Sequence, residues 1–126
     1  YDVLVAENMF GEIISDLAAG LIGGLGFACA ANIGDEYAVF EPTHGSAPKY
    51  YGQNVVNPMA MLLTAKMMLD WLGETDKATQ LEDAVAAVIK EGSIGTYDVK
   101  GRGNGNSTTE VAEEVVRKLN ETAVGA

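Results

Sequence analysis

Between Met59 and Leu72 the apolar residues Met61, Leu62, Leu63, Met67, Met68, Leu69, Trp71 and Leu72 fall on every side of a helical wheel. Asn57-Pro58 supplies a cap and a first-turn proline, and Gly73 supplies the stop. A helix apolar on all faces is buried on all faces. A chain of 126 residues forms one modest domain with few other elements to do the covering. Either copies of the chain associate around this helix, or the covering elements belong to a longer polypeptide. The opening Tyr1-Asp2-Val3-Leu4-Val5-Ala6 reads as a strand entered part-way, without an initiator Met. That favours a piece of a longer chain, or a processed one.

The other segments alternate in type. Phe27 to Ala31 and Tyr37 to Phe40 are short strand-like runs joined by the turn Asn32-Ile33-Gly34-Asp35. After a break at Gly11, apolar spacings of three and four from Ile13 to Leu25 predict a helix. Gly20, Gly23 and Gly24 lie inside that span, each costing about 1 kcal/mol relative to alanine in a helix interior. Close helix packing, within the chain or between subunits, usually offsets such a cost. Asp76 to Lys90 is amphipathic, with Ala78, Leu81, Val85, Val88 and Ile89 inward. Ser107 with Glu110 forms a capping box, and the helix it opens turns Val111, Val115, Val116 and Leu119 inward. Two long glycine-bearing loops, 41–57 and 92–106, separate these helices; the aromatic and apolar residues of the first predict that it is ordered. Short strands with packed helices indicate an α/β fold.

Composition narrows the function. Eighteen acidic residues against eight basic ones leave a net charge of −10. Such a field disfavours nonspecific nucleic-acid binding and anionic membrane surfaces. No apolar run reaches the ~20 residues of a membrane span. The single cysteine, Cys29, excludes a disulfide framework, argues against a zinc cluster and fits a reducing, cytoplasmic setting. Within its apolar run it reads as a packed core thiol.

Three clusters could carry chemistry. Glu12 and Asp16 are four apart, which on a helix places both carboxylates on one face about 6 Å apart at Cβ. Solvated acids near a helix start are the common reading of that spacing; a hard divalent cation such as Mg²⁺ or Mn²⁺ is the alternative. The loop from Glu41 to Tyr50 joins His44 to the small Gly45, Ser46 and Ala47, which let a ligand approach the backbone, and to Lys49 and Tyr50, a cation and a phenol suited to phosphate. The segment from Thr96 to Gly103 repeats the pairing, with Tyr97, Lys100 and Arg102. Gly101-Arg102-Gly103-Asn104-Gly105 is not a dinucleotide fingerprint, because it follows no clear strand and its third glycine comes one position early.

The runs Ala6 to Gly20, Ala31 to Glu36, Glu41 to Tyr50 and Val56-Asn57-Pro58 resemble the β-decarboxylating dehydrogenases. That family comprises isocitrate, 3-isopropylmalate, homoisocitrate and tartrate dehydrogenases. The resemblance covers essentially the whole chain, but only the C-terminal third or so of a family member. It implies the C-terminal part of that α/β fold, incomplete without the N-terminal part. Residues 1–25 would be the end of the small interface domain, and residues 26–126 part of the large cofactor-binding domain. The covering partners of the Met59–Leu72 helix would then lie upstream.

The same resemblance implies roles. Asp16 matches a metal-binding aspartate, and Glu12 stands where the family usually has a second aspartate, one methylene shorter. His44, Gly45, Ser46 and Ala47 match the loop at the adenosine end of the cofactor; Asn57 matches an adenine contact and Asp98 a neighbouring loop residue. Lys49-Tyr50 resembles the NADP-using isocitrate dehydrogenases, where NAD-using members carry an acid at the first position. Tyr97 matches a further contact to the 2′-phosphate, with Arg102 or Lys100 as its cationic helper; Arg102 stands one residue later than the family pattern. The implied activity is metal-dependent oxidative decarboxylation of a small 2-hydroxy acid by an oligomeric enzyme. NADP would be the cofactor, with NAD the alternative. The substrate-binding and proton-transferring residues would lie upstream, so no catalytic residue is assigned here, and the segment alone is expected to be inactive. The alternatives are a segment of 3-isopropylmalate or homoisocitrate dehydrogenase, a non-catalytic nucleotide-binding module, and a self-associating fragment.

Overall fold

The structure is a computed structural model that describes residues 1–124, with side chains through Glu121. Its elements are α1 (Asn8–Leu21), β1 (Cys29–Ile33), β2 (Ala38–Pro42), a 3-10 turn at Pro48–Tyr50, α2 (Met59–Trp71), α3 (Thr75–Glu91), α4 (Tyr97–Lys100) and α5 (Thr108–Val124). β1 and β2 pair antiparallel, from Cys29 opposite Pro42 to Ile33 opposite Ala38. The hairpin packs on α2, α2 on α3 and α3 on α5. The fold is therefore α/β, as the alternation of short strands and helices implied.

The core lies between α2, α3 and α5. Met59, Leu81, Ala84, Val85, Val88, Val111 and Val115 are buried there, with Phe27, Leu62, Leu63, Leu69, Ile94 and Leu119 packed around them. Lys66 ties α2 to α3 by pairing with Glu82 as well as Asp70, each at 3.0 Å. The capping box forms as read. Glu110 Oε2 accepts from the Ser107 N–H and hydroxyl, both at 2.7 Å, and Ser107 Oγ accepts from the Glu110 N–H at 3.2 Å. The long first loop is ordered because it is pinned to the same helix. Asn54 accepts through its carbonyl from the Thr108 N–H (2.9 Å) and through Oδ1 from the Thr109 N–H (3.2 Å).

Several expectations are corrected. Residues 2–6 form no strand; both described strands pair only with each other, and a lone strand would leave its backbone groups unpaired. α1 runs through Gly11, whose N–H donates to Glu7 O at 2.7 Å, and stops at Leu21. Gly23 and Gly24 take φ of 115° and 106°, so they end the helix and carry no helix-interior cost. Gly20 has nothing within 4 Å of where a Cβ would stand, so no helix of the described chain packs closely there. On α3 and α5 the inward stripes are narrower than read. Ile89 and Val116 lie at the rim, about half exposed, while Ala84 takes an inner place. Asn57 does accept the Met59 N–H through Oδ1 at 3.0 Å.

α2 is only half covered. Met59, Ala60 and Thr64 are buried, whereas Met61, Trp71 and Leu72 stay exposed. α1 is barer still: Ala19 is its one buried residue, and Ile13, Leu17 and Leu21 face outward. No helix among the described residues is long and apolar enough to cross a membrane.

Candidate functional site

Three stretches of chain converge on one cleft of about 590 Å³. The glycine turn after α1 gives one wall (Gly23, Gly24, Leu25, Gly26). The loop after β2 gives the second (His44 to Ala47, Tyr50, Val56, Asn57). α4 gives the third (Tyr97, Asp98). Asn57 and Asp98, far apart in sequence, meet across its base, where Asn57 Nδ2 donates to Asp98 Oδ2 at 3.0 Å. Gly26 lies beneath that bond. A Cβ there would stand 2.9 Å from both bonded atoms, and its carbonyl already accepts from the Ala60 N–H at 2.8 Å. Ala47 adopts the left-handed conformation (φ 47°, ψ 55°), which is uncommon for alanine and turns the loop into the 3-10 turn that carries Lys49 and Tyr50. His44 Nδ1 lies 2.9 Å from Gly45 O, as a donor in that tautomer.

A second cleft of about 440 Å³ adjoins the first and shares Tyr50 and Tyr97 with it. Lys49 and Arg102 add two cations, and Gly103 and Gly105 keep the wall low. The two tyrosine rings stand 5.8 Å apart, and Lys49 Nζ lies 5.7 Å from the Tyr50 ring centre. Interaction with the Tyr97 phenol, together with the charges of Lys49 and Arg102, holds the Tyr50 phenol below its ordinary value. The same pairing holds Tyr97 above its own. Of the two cations considered beside Tyr97, Arg102 lines the cleft, while Lys100 Nζ donates to Ser93 O at 2.6 Å.

All ten residues read as cofactor contacts therefore line one cleft or the other: His44, Gly45, Ser46, Ala47, Lys49, Tyr50, Asn57, Tyr97, Asp98 and Arg102. The arrangement suits a flat apolar ring system with polar edges in the first cleft and an anion in the second. Glu12 and Asp16 stand apart from both, exposed on α1. No group of three or more His, Cys, Asp or Glu that could hold a metal is gathered among the described residues. A hard divalent cation takes about six oxygens, so these two carboxylates do not make a site by themselves.

The sequence model of the family described as Isocitrate/isopropylmalate dehydrogenase matches residues 1–115. The chain belongs to that family. It is 52% identical over 122 residues to "Isocitrate dehydrogenase [NADP]" of Thermus thermophilus, a match covering 97% of this chain and 25% of that protein. It is 50% identical over 119 residues to "3-isopropylmalate dehydrogenase" of Archaeoglobus fulgidus, covering 94% of this chain and 35% of that protein. The crystal structure of isocitrate dehydrogenase from Methylococcus capsulatus superposes with a TM-score of 0.85 at 46% identity, over 89% of this chain and 33% of that one. The chain thus spans about a quarter to a third of the length of these dehydrogenases. Its similarity to isocitrate and isopropylmalate enzymes is nearly equal, so identity alone does not separate their substrates.

Within this dehydrogenase segment, sequence reasoning missed the glycine wall. Gly23 and Gly24 read as helix, although four glycines between positions 20 and 26 after a periodic run are themselves a stop signal. Gly105 reads from the sequence only as part of a glycine run that fits no dinucleotide fingerprint. A Cβ on it would stand 2.3 Å from the Tyr97 backbone nitrogen, a constraint that only the folded loop reveals.

Proposed function

We propose that this chain is the cofactor-side segment of an NADP-dependent isocitrate dehydrogenase-like enzyme. The observation that carries the reading is the second cleft, where Lys49 and Arg102 flank the paired phenols Tyr50 and Tyr97 at the mouth of the larger cleft. In a chain of net charge −10, two cations at one mouth are a local exception that favours an anion. The adenosine would occupy the first cleft, with the Asn57–Asp98 pair at its polar edge. Its 2′-phosphate would reach the second, where an ammonium, a guanidinium and phenols offer charge-assisted hydrogen bonds. A carboxylate at position 49 would repel it.

In the whole enzyme the reaction is oxidation of a small 2-hydroxy acid, with hydride passing to the nicotinamide and loss of CO₂. Asp16 and Glu12 would form one side of a Mg²⁺ or Mn²⁺ site completed by groups outside this segment, and the metal when bound would supply Lewis-acid stabilisation of negative charge. The bare outward face of α1 supports two further assignments: residues 1–25 to a different domain from residues 26–126, and association of the enzyme as a homodimer. The single cysteine supports a cytoplasmic setting. The 50% identity to an isopropylmalate dehydrogenase favours, as the second reading, a 3-isopropylmalate or homoisocitrate enzyme with the same cofactor side.

Calorimetric titration of the full chain with 2′,5′-ADP, with 5′-AMP as control, tests the cofactor reading. Saturable binding that requires the 2′-phosphate is the expected result. Equal affinity for the two nucleotides would overturn NADP in favour of NAD. A folded chain that binds neither would leave a segment without a competent nucleotide site.

A further inference from the structure

Tyr97, Asp98, Arg102, Gly103 and Gly105, the cleft residues beyond α2, all lie inside one loop whose ends meet at Gly95 and Asn106. The meeting is reciprocal. The Asn106 N–H donates to Gly95 O at 2.8 Å, and Asn106 Oδ1 accepts from the Gly95 N–H at 3.1 Å. Asn106 leads directly into the Ser107–Glu110 box that opens α5, so the loop neck is joined to the rigid start of a long helix. Just inside the neck Gly105 lies so close to Thr96 and Tyr97 that a side-chain carbon would fall within 2.3–2.8 Å of their backbone atoms. Thr96 itself is almost fully buried, which anchors the residue from which α4 springs. The short α4 has no side-chain cap of its own, so its orientation depends on this neck.

We propose that Asn106 is a positioning residue: through its hydrogen bonds to Gly95 it fixes α4, and with it the Tyr97 and Asp98 side of the nucleotide cleft. The inference rests on the nucleotide reading above for its ligand, and on the ring pair alone for its geometry. A compact loop closed at its ends carries its tip residues as a unit. Loosening the neck should move Tyr97 away from Tyr50 and Asp98 away from Asn57 together, without touching Lys49.

The test uses three versions of the full chain: unchanged, Asn106→Ala and Asn106→Asp. Each is read by nuclear Overhauser contacts between the Tyr50 and Tyr97 rings, by thermal unfolding, and by titration with 2′,5′-ADP. Asn106→Ala removes the Oδ1 acceptor. It should lose the ring contact and weaken 2′,5′-ADP about tenfold, the equivalent of roughly one charge-assisted hydrogen bond. Asn106→Asp keeps an acceptor for Gly95 but sets a like charge beside Glu110. It should unfold at lower temperature yet keep the ring contact. Retention of the contact in Asn106→Ala overturns the proposal. So does its loss in both variants in proportion to lost stability, since that is what a merely structural residue would give. The ring contact needs no ligand. Failure of the unchanged chain to bind 2′,5′-ADP would therefore count against the nucleotide reading and leave the positioning result to stand or fall on the rings.

Discussion

Gly26→Ala probes the floor of the cleft. Its φ lies outside the left-handed region, so alanine is allowed there and would by itself add about 0.4–1 kcal/mol of stability by restricting the unfolded chain. Against this, the new Cβ would stand 2.9 Å from Asn57 Nδ2, 2.9 Å from Asp98 Oδ2 and 3.1 Å from Asn57 Cβ. Two of these are side-chain end atoms that can swing. Asn57 Cβ cannot easily follow, because Oδ1 is held by the Met59 N–H. Overpacking of this kind costs about 1–3 kcal/mol, and mobile end atoms place it at the low end. Breaking the Asn57–Asp98 bond, at the surface, adds about 1 kcal/mol. The balance is a loss of about 1 kcal/mol, or a drop in Tm of roughly 3–5 °C for a domain this size. Affinity for 5′-AMP should fall about fivefold with the loss of one polar edge contact. Thermal unfolding by circular dichroism and calorimetric titration measure the two effects. In an Asp98→Ala background the substitution should cost less, because one clashing atom is gone. A Gly26→Ala chain that melts at or above the parent temperature and binds 5′-AMP equally would refute the close-approach argument.

Lys49→Asp should lower 2′,5′-ADP affinity about 30-fold and leave 5′-AMP unchanged. At ~4 Å in water a charge pair is worth about 1 kcal/mol, a two-unit change against a phosphate of about −1.5 to −2 gives ~3–4, and salt screening leaves ~2 kcal/mol. An unchanged ratio of the two nucleotides would remove Lys49 from the phosphate site. Because the Tyr50 phenol is held below its ordinary value, it ionises first as pH rises, and a phenolate repels phosphate. The 2′,5′-ADP preference should therefore be full at neutral pH and decline below the usual tyrosine midpoint near 10; a flat titration to that pH, or the same decline in Tyr50→Phe, contradicts it. Thr96→Val replaces a buried hydroxyl that has no hydrogen-bond partner among the described residues, so unfolding should become harder by about 1 kcal/mol. A fall of similar size would mean that a water in the adjoining 40 Å³ cavity serves that hydroxyl.

Much of this molecule is written locally. The 3.6-residue period of residues 76–90, the Ser107–Glu110 box and the Asn57-Pro58 start each specify a helix from neighbours in sequence, and each helix is present. The residue types of the two clefts were legible for the same reason: small residues beside His44, and a phenol beside a cation twice over, are chemistry that spacing preserves.

Tertiary structure decided what local pattern leaves degenerate. Glycine is silent about why it is there: Gly23 and Gly24 fit a helix pattern but serve its end, while Gly26 and Gly105 matter only because Asn57, Asp98 and Tyr97 press against them. Residues 2–6 had strand composition, yet a strand exists only where another strand accepts its hydrogen bonds. Asn57 and Asp98 meet because the α2–α3 hairpin and α5 bring the two loops together, a contact that no periodicity encodes. The apolar excess of α1 and α2 was plain in the sequence from the start, but which faces this chain covers, and which it leaves bare, follows only from the packing of α2, α3 and α5.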